Sequence, residues 1–271
     1  MRDAECVEFL RWALPRLRLR WAGFRKVRRQ VCRRIERRIR ELDLPGVDAY
    51  RAYLESAPDE WLQLDALCHV TISRFYRDRG VFTFLERSVL PELAGRAAAR
   101  EGTVDAWSAG CASGEEAYSL VLAWEYAVRP AFPAVALHVV ATDADATMIQ
   151  RIRAASYGES SLRDLPEPWR GRAFVRRGDR YYLRPRFRQL VTVELADVRD
   201  PDPTGPFDLV LCRNLAFTYF DVSLQCEVAE RLALALRPGG ALVVGSHETI
   251  PEGSGVLAPW CARLGVYRRS T

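Results

Sequence analysis

The chain has 271 residues, 49% of them apolar and 28% charged, and its 40 basic and 35 acidic side chains leave a formal net charge of +5. That balance excludes a disordered polyelectrolyte and a collagen-like chain, and the length suffices for a buried core without covalent staples. No run of about 18 apolar residues is available to span a membrane, and Met1-Arg2-Asp3-Ala4-Glu5 lacks the apolar stretch of a secretory signal, so the expected location is the cytoplasm. Lys26 is the only lysine, and residues 1–60 carry 15 basic and 10 acidic groups while 61–271 carry 25 of each. The whole surplus therefore sits in the first 60 residues. Seven scattered cysteines, none spaced as Cys-x-x-Cys, read as reduced structural thiols. Three histidines in no ligand-type spacing give no support to a metal site.

In chain order, Phe24, Val27, Val31, Ile35, Ile39 and Leu42 recur three or four apart, which predicts an amphipathic helix over 24–42. Its other faces hold Arg25, Lys26, Arg28, Arg29, Arg33, Arg34, Arg37, Arg38 and Arg40, and Leu44-Pro45-Gly46 stops it. Short helices are expected over 48–55 and 59–69, and another over 81–93. The small and polar stretch 94–102 then reads as a linker or a frayed helix end, and with the boundary placed there the expected domains are a helical, arginine-rich 1–95 and a second domain 96–271.

Beyond that point strands and helices alternate: strands over 104–108, 137–142, 190–195, 207–212 and 241–246, helices over 115–128, 146–155 and 223–236. This rhythm predicts a doubly wound, mostly parallel sheet of the Rossmann type, an α/β domain covered on both faces. The segment 157–188 interrupts it with Leu165-Pro166-Glu167-Pro168 and a hairpin pairing 174–175 with 181–183. Only two strands are expected in that excursion.

Ser108-Ala109-Gly110-Cys111-Ala112-Ser113-Gly114-Glu115-Glu116 joins the first strand to its helix. Glycines there let the backbone approach a ligand, and the helix start offers unpaired N–H groups. A phosphate loop would need Gly-Lys-Ser/Thr, and a dinucleotide fingerprint a third glycine. Two carboxylates would repel a phosphate, so the loop suits a cation. S-Adenosyl-L-methionine carries a sulfonium and an ammonium and no phosphate. Asp143 ends the second strand, where an acidic side chain can accept from ribose hydroxyls or cap the next helix. Arg213 and Asn214 end the strand 207–212, at the edge where ligands of open parallel sheets sit, though they could also cap the following turn.

Trp107 to Ser119, Ala141-Thr142-Asp143, Cys212-Arg213-Asn214 with Tyr219-Phe220-Asp221, and Ser73-Arg74-Phe75-Tyr76-Arg77-Asp78 together resemble the CheR family, S-adenosylmethionine-dependent methyltransferases that esterify glutamates of chemotaxis receptors. The likeness covers nearly the whole chain, since that family also has an N-terminal helical domain with a basic helix. It implies that Glu115 faces the methionine part of the cofactor, Asp143 the ribose, and Asp197-Val198 the adenine, with Gly110, Arg213 and Asn214 lining the pocket. It implies further that Thr71, Ser73 and Arg77 reach over the cofactor, and that Arg77 and Tyr219 hold the acceptor carboxylate. S-Adenosyl-L-homocysteine would be the product.

The chemistry agrees with those residue types. A glutamate with pKa of about 4.3 is ionised at neutral pH and needs no general base to attack the methyl, so alignment and exclusion of water suffice. The chain departs from the family in three places. Tyr219 stands five residues after Asn214 instead of four, Gly245-Ser246-His247-Glu248 exchanges serine and histidine, and Asp197 replaces an asparagine. An aspartate can accept from the adenine amino group but cannot donate to a ring nitrogen.

Between Arg11 and Arg40 the chain has 13 basic residues and one acid. This run over 24–42 reads as a solvated face, as a docking surface for an acidic protein or peptide such as a receptor helix, or as a phosphate-binding face, the last disfavoured by the scarcity of interleaved aromatics. Two other activities stay open from the sequence: methylation of a small-molecule or biosynthetic carboxylate, and cofactor binding by a non-catalytic regulator. The oligomeric state is not legible.

Overall fold

A computed structural model describes residues 2–100, 102–200, 205–251 and 255–270. Met1 of the N-terminal reading and Glu101 of the expected linker lie outside the described residues. The chain forms two compact units, one of residues up to Thr71 with Thr218–Leu224, the other of Ile72–Phe217 with Gln225 onward. The sequence reading drew the division at 95/96.

The first unit is helical, with helices Asp3–Ala13, Arg28–Glu41, Val47–Ser56 and Glu60–Cys68. Apolar residues three or four apart on each bury one face: Phe9 and Leu10, Val31 and Ile35, Tyr50 and Leu54, and Leu64 are all at most 4% exposed. The basic helix starts at Arg28, not at 24, because Trp21–Phe24 makes its own turn and the chain bends through Arg25–Val27 before re-entering helix. It stops at Glu41, followed by Asp43 in the left-handed region at φ 53°. Its arginines are not all free: Arg38 forms a two-pronged ion pair with the buried Glu60, at 2.9 and 2.7 Å, and Arg28 binds Asp3 at 3.0 Å. Arg38 holds the Glu60 carboxyl below the usual carboxylate range.

The expectation of seven reduced thiols is corrected. Packing of the first helix against the basic helix brings the Cα atoms of Cys6 and Cys32 to 6.0 Å, within a disulfide, across 26 residues of sequence. Sequence spacing could not reveal that pairing. Cys68, Cys111, Cys212, Cys226 and Cys261 are free thiols. Thiol titration of the denatured, unreduced protein is therefore expected to count five groups, rising to seven after reduction; seven at the outset would exclude the bond.

In the second unit, the helical run from Arg79 to Ala99, with a π turn over Leu85–Val89, continues through most of the stretch expected to be a linker or a frayed helix end. Ala94 and Ala97 are fully buried there, so small residues serve close packing and not flexibility. The strands are β1 Thr103–Ala109, β2 Ala136–Asp143, β3 Ser156–Gly158, β4 Phe174–Arg177, β5 Arg180–Leu183, β6 Val191–Leu195, β7 Phe207–Leu211, β8 Leu236–Val243, β9 Leu257–Cys261 and β10 Val266–Arg269. Seven of them form one sheet in the order β6-β2-β1-β7-β8-β10-β9. β6, β2, β1, β7 and β8 are parallel, and β10 and β9 add antiparallel at one edge. This is the doubly wound sheet expected, with a C-terminal hairpin that went unpredicted. The excursion holds a three-stranded antiparallel sheet, β3-β5-β4, one strand more than expected.

Candidate functional site

β1 has β2 on one side and β7 on the other, so the chain order reverses between β1 and β7 and a crevice opens at their carboxyl ends. The second unit converges its polar residues there. The loop after β1 turns through Gly110 at φ +69° and Gly114 at φ +88°, conformations that favour glycine. A Cβ at Gly110 would stand 2.3 Å from Leu215 Cδ2, and one at Gly114 2.4 Å from Ile152 Cγ1. Close packing as well as backbone conformation thus requires both glycines.

Asp143, at the end of β2 and 8% exposed, ties this loop down. Its Oδ2 accepts from the Ala112 N–H at 2.8 Å and its Oδ1 from the Asp145 N–H at 2.9 Å. Capping of the next helix falls to Asp145, which accepts from the Thr147 N–H at 2.7 Å. Asp143 thus braces both the loop after β1 and the turn after β2 with its carboxylate, at the strand end where an acidic side chain can accept from ribose hydroxyls.

The two glutamates that open the helix Glu115–Ala123 separate in role. Glu115, 3% exposed, accepts from Ser113 Oγ at 2.8 Å and Ser161 Oγ at 3.4 Å, and Ser73 also hydrogen-bonds to it. Burial raises its carboxyl above the usual range, and the serines offset this only in part. Among the described residues no cationic side chain pairs with it. Glu116 instead accepts from Ser108 Oγ at 2.8 Å and from Arg213 Nη1 at 3.2 Å. The expectation that both carboxylates serve a cationic ligand is corrected: the 100° helical step turns the second one toward Arg213, with which it forms an ion pair at 3.2 Å that offsets the effect of burial on its carboxyl only in part.

Arg213, 7% exposed, donates through Nη2 to Asp78 Oδ2 at 2.7 Å and to the Arg77 carbonyl at 3.0 Å, with its guanidinium 5.5 Å from the Phe82 ring centroid. Arg77 donates to the Ile72 carbonyl at 2.8 Å and to Asn214 Oδ1 at 3.2 Å. Asn214, left-handed at φ 57°, is fixed by its N–H on Glu248 Oε2 at 2.7 Å, which also takes the Gly245 N–H at 2.6 Å. Asp197 accepts from Arg199 through both oxygens, Oδ1 from Nε at 3.0 Å and Oδ2 from Nη2 at 2.6 Å, and the 7% exposed Val198 follows it.

Within the second unit, Ser73, Glu115 and Asp143 meet at the loop that turns through Gly110, and Arg77, Arg213 and Asn214 form a second hydrogen-bonded group at the end of β7, tied to the first through Glu116 and Ser119 of the helix that Glu115 opens. Thr71 and Tyr219 belong to the first unit, where Tyr219 stacks tilted on Phe24 with ring centroids 5.1 Å apart. Sequence reasoning missed Asp78, Ser161 and the inward role of Glu116. Ser161 comes from the excursion between β3 and β4, and Tyr157 on β3 donates to the Ser113 carbonyl at 2.9 Å, so the small sheet props the loop. No local pattern signals that support; the Gly-Glu-Glu step alone could have suggested opposite faces for the two acids.

A buried carboxylate held by serine hydroxyls and a backbone N–H, with no cationic partner among the described residues, fits a ligand ammonium, and a strand-terminal Asp143 fits a ribose, which agrees with the chemistry of S-adenosylmethionine. Fold and site together define a Rossmann-like methyltransferase domain. The chain matches the family model for the CheR methyltransferase SAM binding domain over residues 71–260 and that for the CheR all-alpha domain over 26–64. It belongs to the CheR family and is an S-adenosylmethionine-dependent methyltransferase. It is 32% identical over 185 residues to a chemotaxis protein methyltransferase of Listeria monocytogenes, covering 68% of each chain. To a probable chemotaxis protein methyltransferase of Rhizobium etli it is 31% identical, over 81% of this chain and 84% of that one. An uncharacterized 104.1 kDa protein of Rhodobacter capsulatus is 33% identical over 82% of this chain, which spans only 23% of that protein's length.

Proposed function

We propose that the protein transfers methyl from S-adenosylmethionine to a glutamate side chain of a protein acceptor in the cytoplasm, of the chemotaxis-receptor type, and that Arg77 binds the acceptor carboxylate. The single observation that carries the reading is the placement of Arg77: its guanidinium is anchored on Ile72 and Asn214, leaving further N–H donors for a carboxylate, and its carbonyl is held by Arg213, which pairs with Glu116 beside Glu115. When bound, S-adenosylmethionine supplies an electrophilic methyl on a sulfonium. Glu115 would hold the ammonium, Asp143 the ribose, and the loop at Asp197-Val198 the adenine. Asp197 shares its carboxylate with Arg199, which limits it to a modest part in adenine binding. An ionised acceptor needs no base, so the chain's work is orientation and exclusion of water.

The experiment is transfer of labelled methyl from S-adenosylmethionine to a receptor cytoplasmic fragment. Release of methanol by mild base from the labelled protein band supports the reading. Label appearing only in a small molecule, or a base-stable label, overturns it.

The basic helix of the first unit supports the choice of an acidic protein partner. Arg29, Arg33, Arg37 and Arg40 recur three or four apart and are exposed, Arg37 in a surface ion pair with Glu41 at 3.6 Å, while Arg28 and Arg38 are engaged with Asp3 and Glu60. Arg33→Glu with Arg37→Glu is expected to lower the association rate with the receptor fragment about tenfold at low salt and little at high salt, with melting temperature unchanged. Stopped-flow binding at two ionic strengths checks this.

A further inference from the structure

We propose that Arg213, held by Glu116, is a positioning residue for Arg77, so that the helix carrying Glu115 also sets the geometry of the acceptor clamp. The inference rests on the reading of Arg77 given above. It follows from an unusual stretch of backbone. Tyr76 and Asp78, on either side of Arg77, both lie in the left-handed region, at φ 56° and 61°. For residues with a Cβ that conformation is strained, so something must hold it.

Three groups do so, and two of them come from the cofactor-loop helix. The Tyr76 N–H donates to Ser119 Oγ at 2.9 Å, and Ser119 is itself bonded to the Glu115 carbonyl at 2.6 Å. Arg213 grips the other side, taking the Arg77 carbonyl and the Asp78 carboxylate with one nitrogen. Glu116, beside Glu115 in sequence, fixes the other Arg213 nitrogen. With its side chain 2% exposed, Arg213 is placed to act through Arg77 and not on the acceptor directly. Arg77 is thereby held from its backbone by Arg213 and from its side chain by Asn214, which Glu248 anchors in turn.

Removing the negative charge that orients Arg213 should therefore disturb Arg77 while sparing the Glu115 and Asp143 contacts. The test compares wild type with Glu116→Gln, Arg213→Lys, Arg77→Ala and the Glu116→Gln/Arg77→Ala double variant. For Glu116→Gln, hydrogen exchange with S-adenosylhomocysteine bound should be faster at the amides of residues 76–79 and unchanged in β1, β2 and β7. Its affinity for S-adenosylhomocysteine by calorimetry should stay within about threefold, while kcat/KM for the receptor fragment falls about tenfold to a hundredfold, the range that a misplacement of about 1 Å produces. In the Arg77→Ala background the same change should cost nothing further. Arg213→Lys keeps the charge but loses the fork, and should fall between wild type and Glu116→Gln.

Unchanged exchange at 76–79 overturns the proposal whatever the turnover. So does a full additional loss in the double variant, or a melting temperature and cofactor affinity that fall together with turnover. Wild-type turnover in Arg77→Ala would instead remove the acceptor reading, and the exchange arm would still decide the positioning role.

Discussion

Replacing Glu115 with glutamine is expected to weaken binding of S-adenosylhomocysteine about a hundredfold, since a buried charge-assisted hydrogen bond is worth about 2–3 kcal/mol. Glutamine keeps the shape and can still accept from Ser113 and Ser161, which isolates the charge from the packing. The ligand-free variant should be no less stable than wild type. Burial raises the Glu115 carboxyl above 4.5 in the folded protein, so the folded state favours its protonated form and loses stability as pH rises through that raised value. Ligand binding runs in the opposite sense. The ammonium needs the ionised carboxylate, so wild-type affinity should rise with pH as the raised Glu115 carboxyl ionises, below the titration of the ligand amine at about 8, and the affinity of the glutamine variant should stay flat. Calorimetry across that range, in both proteins, decides the matter; parallel curves would place the ammonium elsewhere.

Arg77→Ala should act on the other substrate. Two charge-assisted hydrogen bonds lost from the acceptor carboxylate amount to roughly 4 kcal/mol, or about a thousandfold in kcat/KM for the receptor fragment. Affinity for S-adenosylhomocysteine should change less than about threefold, because Glu115 and Asp143 keep their partners. Loss of cofactor binding in step with turnover would move Arg77 from the acceptor to the cofactor. Arg77→Lys offers a finer measure: it retains the charge but cannot reach Ile72, Asn214 and a carboxylate together, so partial recovery separates charge from geometry.

Much of this arrangement was legible before folding. Strand–loop–helix rhythm placed the ends of β1, β2 and β7 at one edge, because parallel crossovers force ligand loops to the carboxyl side. The left-handed turns at Gly110 and Gly114 were visible as glycines, and Asp143 as a strand-terminal acid. The errors have physical causes as well. Ala94 to Ala99 reads equally as a linker or as the end of a helix because small side chains serve both flexible segments and tight helix packing, and composition cannot separate the two. Cys6, Phe9, Leu10 and Ala13 carry the spacing of a buried helix face, a signal that was present and not read. The hairpin β9–β10 has short strands whose pairing depends on β8, a partner that no local pattern specifies.

The sequence by itself determined the parallel sheet, the cofactor loop, the family, and the location of the surplus positive charge, since each is written in local spacing or residue type. Tertiary structure alone decided the rest. It joined Cys6 to Cys32, engaged Arg28 and Arg38 with carboxylates and left Arg29, Arg33, Arg37 and Arg40 exposed, and turned two adjacent glutamates to different partners. The net +5 says nothing of these choices, because which charges meet depends on residues distant in sequence being brought within about 4 Å by the packing of helices and sheet.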